Sequence, residues 1–276
     1  MKCKNTWLDV VRGRQTWPLV LVAIGVGCHG PSAAPSIPVR GSPPPAPAPV
    51  LPTERIAIVG ASVSAGFGGT PFGEAFTAAA PSSAIASVAD VMLFRDPIGN
   101  SRAQIDAAIA FRATTIVALD FLFWDIYSRN DPGWRARALA AGLGELERAR
   151  AAGAWILVGD VPHITTAAEL LLSKDNVPDA ATLATFNATI AAWAAGKDRV
   201  LVVPFASWAE PVAADGEIEI GPGEKIAGRA LLALDGLHAN ELGVWLLLHR
   251  LDQLIEAKLP GTPKDALVFR RPAPAT

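Results

Sequence analysis

A single doubly wound α/β domain, a five-stranded parallel sheet in a three-layer α/β/α arrangement, is the architecture the sequence predicts for residues 54–270. Three observations predict it. Short runs at 56–59, 116–119, 155–158 and 200–203 are continuously hydrophobic rather than alternating, as in strands buried on both faces. Between them lie longer Ala- and Leu-rich stretches that carry helix start and stop signals. Strand and helix alternate five times in succession, which calls for parallel strands joined by right-handed crossovers.

In the first strand, Ile56 to Val59 is apolar and the run stops at Gly60, followed by two Ser and then Gly66, Gly68 and Gly69. This reads as a strand breaking into a tight turn that starts a helix. Ser62 would then stand exposed at the carboxyl end of the strand, where open α/β sheets keep their ligands. The second apolar stretch, Ala84 to Phe94, suggests a strand near Asp90–Phe94. Asp96-Pro97-Ile98-Gly99-Asn100 is a turn cluster, and Ser101 can cap a helix running to Phe111. Thr114 to Leu119 is the third strand, Pro132 to Ala152 a long helix, and Trp155 to Val158 the fourth strand. Pro178 to Ala195 is the next helix and Arg199 to Val203 the fifth strand. From Phe205 to Leu234 the pattern lapses; Ile218 and Ile220 alternate with acids, which predicts a short hairpin or an irregular loop. The last helix runs from about Asn240 to Lys258, with Leu246, Leu247, Leu251, Leu254 and Ile255 inward.

Composition narrows the function classes. A hydrophobic content of 51% is ample for a core, and a net charge of -2 supplies no basic excess for phosphate contacts, which argues against nucleic acid as a partner. Both cysteines, Cys3 and Cys28, precede the domain, so it holds no disulfide framework and no Cys-based metal site. The few His and acidic residues lack ligand spacing, and no metal or cofactor is expected.

Residues 1–17 carry Lys2, Lys4, Arg12 and Arg14 against the single acid Asp9, and residues 18–27 are uncharged and apolar. Ten such residues are too few to span a bilayer but suit the core of a secretory signal. Cys28 follows Gly25-Val26-Gly27, and the whole resembles a bacterial lipoprotein signal, although Gly25 stands where that family carries Leu or another large aliphatic residue. The resemblance implies cleavage before Cys28, its lipidation and a membrane anchor in the cell envelope; an uncleaved anchor, or ordinary cleavage near Ala33 or Ala34, is the alternative. Residues 29–53 are dominated by Pro, Ala and Ser and read as an extended tether.

An acyl-transfer hydrolase needs a nucleophile, a base, a group orienting the base, and donors for the oxyanion. Ser62 is the candidate nucleophile and Ser64 its rival; Ser62 is favoured because it sits directly at the Gly-x-Ser turn. Of the four histidines, His29 lies in the tether. His238 has Asp235 three residues upstream in the same loop, so the carboxylate can meet one imidazole nitrogen while the other faces outward. The plainer reading of that pair is a capping Asp beside a surface His. His249 has no acid at that spacing and reads as a helix-surface residue, and His163, after Asp160-Val-Pro, is a candidate to line a pocket. A phosphate-cradling loop is disfavoured, since Gly-Lys-Ser/Thr is absent and Gly-x-Gly-x-x-Gly does not fit.

Gly60-Ala-Ser-Val-Ser-Ala-Gly-Phe-Gly68 resembles the first block of the SGNH, or GDSL, hydrolases, which reads Gly-Asp-Ser-Leu-Ser/Thr-x-Gly-x-Gly; Ala61 replaces the Asp. Asp235-Gly-Leu-His238 is similar to the last block, Asp-x-x-His, followed as there by an Asn and a Gly; Gly159-Asp-Val-Pro162 and Asn187 are lesser echoes. The resemblance spans the domain in the family's order. It implies a flavodoxin-like SGNH hydrolase fold and cleavage of a small-molecule, glycan or lipid ester, with Ser62 attacking, His238 as base and Asp235 orienting it. It also implies an oxyanion hole built from the N–H of Ser62, the N–H of Gly99 and a third-block Asn. That third block, Gly-x-Asn-Asp, is missing: Ala118-Leu-Asp-Phe-Leu-Phe-Trp-Asp125 stands in its place, with Asp120 the nearest equivalent and Asp125 a poorer one. An ionised Asp has no N–H to donate, and losing one donor costs on the order of 100- to 1,000-fold in rate. Three readings stay open: Asn100 substitutes, Asp120 is held protonated, or the domain is impaired and binds an envelope glycan or lipid. Trp124, Trp134 and Trp208 are candidates to line the pocket.

Overall fold

The computed structural model describes residues 47–165 and 172–273. The signal-like leader, Cys28 and the tether as far as residue 46 lie outside the described residues. In chain order the elements are β1 (Arg55–Ile58), α1 (Phe72–Ala79), β2 (Ala84–Ser87), α2 (Pro97–Ala110), β3 (Thr115–Ala118), α3 (Phe123–Tyr127), α4 (Pro132–Ala151) and β4 (Trp155–Gly159). They continue with α5 (Ala180–Ala194), β5 (Val200–Val203), α6 (Phe205–Ala213), β6 (Glu217–Gly221), β7 (Glu224–Ala227) and α7 (Glu241–Lys258).

Five parallel strands pair in the order β2-β1-β3-β4-β5, the flavodoxin-like order. Side chains alternate between the two faces of a strand. Ala57, Ile116, Ala118, Ile156 and Val158 accordingly pack on one side with α2, α3, α4 and α5. Ile56, Ile58, Val117, Leu119 and Leu157 pack on the other with Phe72 and Phe76 of α1 and Leu247, Leu248 and Leu251 of α7. Both faces being covered is why these strands read as unbroken apolar runs. The order reverses between β1 and β3, the crevice where such sheets bind ligands.

Four expectations need correction. The second strand is Ala84–Ser87, not Asp90–Phe94; the Asp90 carboxylate accepts the N–H of Met92 at 2.8 Å and starts a 3-10 turn, Val91–Arg95. The cap of α2 is Asp96 rather than Ser101, because Pro97 at the first helical position needs no N–H partner and Asp96 accepts from Gly99 N. No helix follows Ser62 directly. The chain crosses a loop first, and α1 begins at Phe72; Gly66 and Gly68 have φ of +85° and +89° there, and a Cβ on Gly66 would lie 2.5 Å from the Pro71 ring. Between 205 and 234 a helix, α6, precedes the hairpin β6–β7 and was hidden by the helix-breaking Pro211 within it. The hairpin buries Ile218 and Ile220 against Leu231 and Leu246, as their alternation with acids required.

Residues 48–53 run along the domain. Leu51 is buried and donates its N–H to Thr262 Oγ1 at 2.8 Å, Gly261 N–H donates to the Pro49 carbonyl at 3.1 Å, and Thr115 Oγ1 donates to the Pro52 carbonyl at 2.5 Å.

Candidate active site

The residue after β1, Gly60, has φ of +145°, and a Cβ there would lie 2.1 Å from Asp120 Oδ1, so only glycine fits. Buried Gln104 of α2 holds this glycine by both backbone groups: its Oε1 accepts from Gly60 N at 2.7 Å and its Nε2 donates to Gly60 O at 2.9 Å. Asp120, just past β3, does the rest. Its Oδ1 accepts from Ala61 N at 3.0 Å and Ser64 Oγ at 2.6 Å, and its Oδ2 from Val63 N at 2.9 Å and Ser64 N at 3.2 Å. One buried carboxylate thus gathers the turn that carries Ser62. Burial raises the Asp120 carboxyl from its usual range, and the four donors hold that rise down.

In this turn the N–H groups of Ala61, Val63 and Ser64 are spent on Asp120, whereas that of Ser62 has no acceptor among the described residues. The two serines differ in the same way. Ser64 is fully buried with its hydroxyl on Asp120, while Ser62 is half-buried and its Oγ lies 2.8 Å from His238 Nε2, a partner 176 residues away.

His238 comes from the loop before α7. Its Nδ1 is 2.8 Å from Asp235 Oδ2, and Asp235 Oδ1 accepts the N–H groups of Leu237 and His238, each at 2.9 Å. Burial works to raise the Asp235 carboxyl, but these donors and the imidazole hold it below the usual value, so it is ionised at neutral pH. A carboxylate only accepts, which puts the imidazole proton on Nδ1 and leaves the Nε2 lone pair facing the Ser62 hydroxyl. The ring is buried and lies against Phe67 at 4.6 Å between centroids. Ser62, His238 and Asp235 therefore form one hydrogen-bonded chain across the carboxyl edge of the sheet, and the carboxylate meets a buried His, not a surface one.

The oxyanion candidates are placed otherwise. Gly99 N–H donates to its own helix cap, Asp96 Oδ1, at 3.2 Å, and Asn100 Nδ2 donates to the Met92 carbonyl at 3.2 Å. Neither borders the cavity at Ser62, which is walled by Phe123, Pro162, Ile164, Phe205 and Leu237 beside Ser62 and His238. Asp120 borders that cavity but accepts rather than donates. Asp125 sits on α3 against Gly142, with neither oxygen hydrogen-bonded among the described residues, and burial raises it well above the usual range.

Pro162 and Ile164, rather than His163, wall the cavity, and Tyr127 fixes them: its hydroxyl donates to Pro162 O at 2.8 Å and accepts from Ile164 N at 2.9 Å. Asn187 clamps Val161 next door, at 2.9 Å to both its N–H and its carbonyl. His249 stacks on Trp245, away from the site. Of the three tryptophans, Trp208 lines a neighbouring cavity, Trp124 packs on Phe94 and Phe123, and Trp134 lies under Arg129.

No family model and no curated protein matches the sequence. Among solved structures, the chain is similar to a psychrotrophic esterase, EstA, from Pseudoalteromonas sp., at 13% identity and a TM-score of 0.43, covering 75% of this chain and 99% of that one. It is similar to TesA at 16% identity and a TM-score of 0.47, covering 74% and 99%. An acetylxylan esterase from Geobacillus stearothermophilus, Axe2, aligns at 15% identity with a TM-score of 0.45, covering 73% and 94%. At such identities the likeness concerns the path of the chain, and the chemistry below is read from the residues themselves.

Proposed function

We propose that this protein is a serine ester hydrolase of the SGNH type, acting on carboxylic esters through Ser62, His238 and Asp235. The observation that carries the reading is the pair of 2.8 Å contacts that tie Ser62 Oγ to His238 Nε2 and His238 Nδ1 to Asp235. In this reading His238 Nε2 takes the Ser62 proton as Oγ attacks the ester carbonyl, and Asp235 stabilises the imidazolium. The tetrahedral intermediate collapses as the alcohol leaves with that proton. Water, activated by the same imidazole, then attacks the acyl-serine, releasing the acid and restoring the serine. The unspent N–H of Ser62 supports a role as oxyanion donor. Full-length protein treated with a fluorophosphonate probe is expected to gain one adduct, mapped by mass spectrometry to the peptide containing Ser62; an unlabelled Ser62 in folded protein would sink the reading.

One observation favours a second reading, an impaired domain that binds an envelope glycan or lipid without turnover. Gly99 N–H and the Asn100 amide, the other oxyanion donors considered, are engaged elsewhere. That reading expects no labelling, together with measurable binding of such a ligand.

We further propose export and attachment to the cell envelope through lipidated Cys28, supported by the basic leader and the short apolar run before that cysteine. Metabolic labelling with a fatty acid in a bacterial host is expected to mark the wild-type chain and not Cys28→Ser; equal labelling would refute the anchor.

A further inference from the structure

Beside the Ser62 cavity lies a second one, between α6, the 3-10 turn Gly228–Leu231 and α7. The two meet along five side chains that line both: Val63, Ile164, Phe205, Ala209 and Leu237. Trp208 and Val212 of α6 and Leu246 and Leu247 of α7 complete the inner wall. Apart from the Trp208 indole N–H and Arg250, no side chain along it can hydrogen-bond. Most of the walls come from residues 205–250, on α6, the 3-10 turn, the loop before α7 and α7 itself, with Val63 and Ile164 added at the side facing the Ser62 cavity.

We propose that this chamber receives the acyl chain of the ester, so that the preferred substrates carry medium-length acyl groups on a variable alcohol. The inference rests on the hydrolase reading of Ser62 and goes beyond it in naming the part of the substrate that is recognised. The chemistry of the walls selects the occupant. A sugar placed here would leave its hydroxyls without partners, which is costly in an apolar site, whereas each methylene buried gains affinity. The acyl group is also the part that stays bonded to Ser62 after the alcohol departs, so a chamber next to the Ser62 cavity can hold it through both halves of the reaction. Size sets the length. The cavity volume is about 80 Å³, and a water needs roughly 10–15 Å³ on the same measure, so the chamber has room for about six water-sized groups. Arg250 also borders the chamber, seven residues beyond Gly243 on α7 and about 10 Å along the helix axis, and a chain that reaches its guanidinium gains nothing more.

The test is a series of p-nitrophenyl esters from acetate to dodecanoate, with full-length wild type and Ala213→Trp. Ala213 lines the second cavity but not the first and is half-buried, so a Trp there projects bulk into the chamber and leaves the Ser62 cavity's own lining unchanged. In wild type kcat/KM is expected to rise about three- to fourfold per methylene, to level off near six to eight carbons and to fall beyond. In Ala213→Trp the octanoate-to-acetate ratio is expected to drop at least tenfold. A wild-type profile that is flat or falls from acetate onward, with Ser62 still labelled by a fluorophosphonate, overturns the acyl chamber and leaves the hydrolase reading standing. Absence of both turnover and labelling overturns the hydrolase reading and this inference with it. The wild-type profile decides the matter alone should the variant fail to fold.

Discussion

Ser62→Ala is expected to lower the hydrolysis of activated esters by at least on the order of 10⁴-fold while keeping stability within about 1 kcal/mol of wild type, since one half-buried hydroxyl contact is lost. The size of the effect follows from the chain of contacts. Without Oγ there is nothing for His238 to deprotonate, and what catalysis is left comes from oxyanion donors and binding alone. That residue is small here, because three of the four N–H groups in the turn are committed to Asp120. Groups that act as one unit are not additive, so His238→Ala should match Ser62→Ala, and the double variant should be no slower than either. Asp235→Asn belongs in the same series. An amide donating to Nδ1 would move the imidazole proton to Nε2 and turn the lone pair away from Ser62, again with an expected loss on the order of 10⁴-fold. Steady-state rates for these four variants decide the reading. A Ser62→Ala rate equal to wild type would remove Ser62 from the chemistry, and an additive double variant would mean that the two residues do not act together.

How much of this arrangement could be read before the structure depends on how local its physical cause is. β1, β3 and β4 were legible because strands buried on both faces cannot hide their apolar runs, and β5, though an edge strand and mostly half-buried, is Val200-Leu-Val-Val203, an apolar run as continuous as theirs. β2 was not: at the sheet edge it is Ala84-Ile-Ala-Ser87, half-exposed, and the more apolar Val91 to Phe94 beside it drew the assignment away. Asp235 and His238 could be paired because their contact spans three residues, and their partner Ser62 because a Gly-x-Ser break after a strand is itself a local signal. Gln104, and the role of Asp120 as a clamp on the Ser62 turn, left no such trace. Both side chains bond to backbone, 44 and 56 to 59 residues away, and a side chain that recognises backbone imposes no pattern on the residues it meets. The signal that could have shown this role for Asp120 was its placement. It is an acid directly after a buried strand, in register beside the strand that carries the Ser, where a carboxylate survives only if donors surround it. That the Gly99 N–H is engaged by Asp96, away from the Ser62 cavity, has a related reason. An N–H at a helix start is free only until a cap takes it, and Asp96 is three residues upstream.

Asp120 then supplies the sharpest test of what replaces the missing Asn. If its side chain faced the oxyanion as a third-block Asn does, Asp120→Asn would restore a donor and raise the rate on the order of 100- to 1,000-fold. The geometry here requires the opposite. Asn keeps one acceptor oxygen; turned toward Val63 and Ser64 N–H, it leaves its amide to donate to Ser64 Oγ and strands the N–H of Ala61. One buried donor without a partner costs about 1–3 kcal/mol, and that is the expected loss in unfolding free energy for Asp120→Asn. Asp120→Ala strands three donors and the Ser64 hydroxyl, so its loss should be severalfold larger. Activity should fall along with stability, because the turn released by these changes is the one that sets Ser62 against His238, and a displacement of about 1 Å at such a site costs on the order of 100-fold in rate. Denaturant unfolding and ester turnover on wild type, Asp120→Asn and Asp120→Ala separate the two roles. A faster Asp120→Asn would make Asp120 a flawed oxyanion group after all, whereas a slower and less stable one makes it the clamp that shapes the nucleophile's turn.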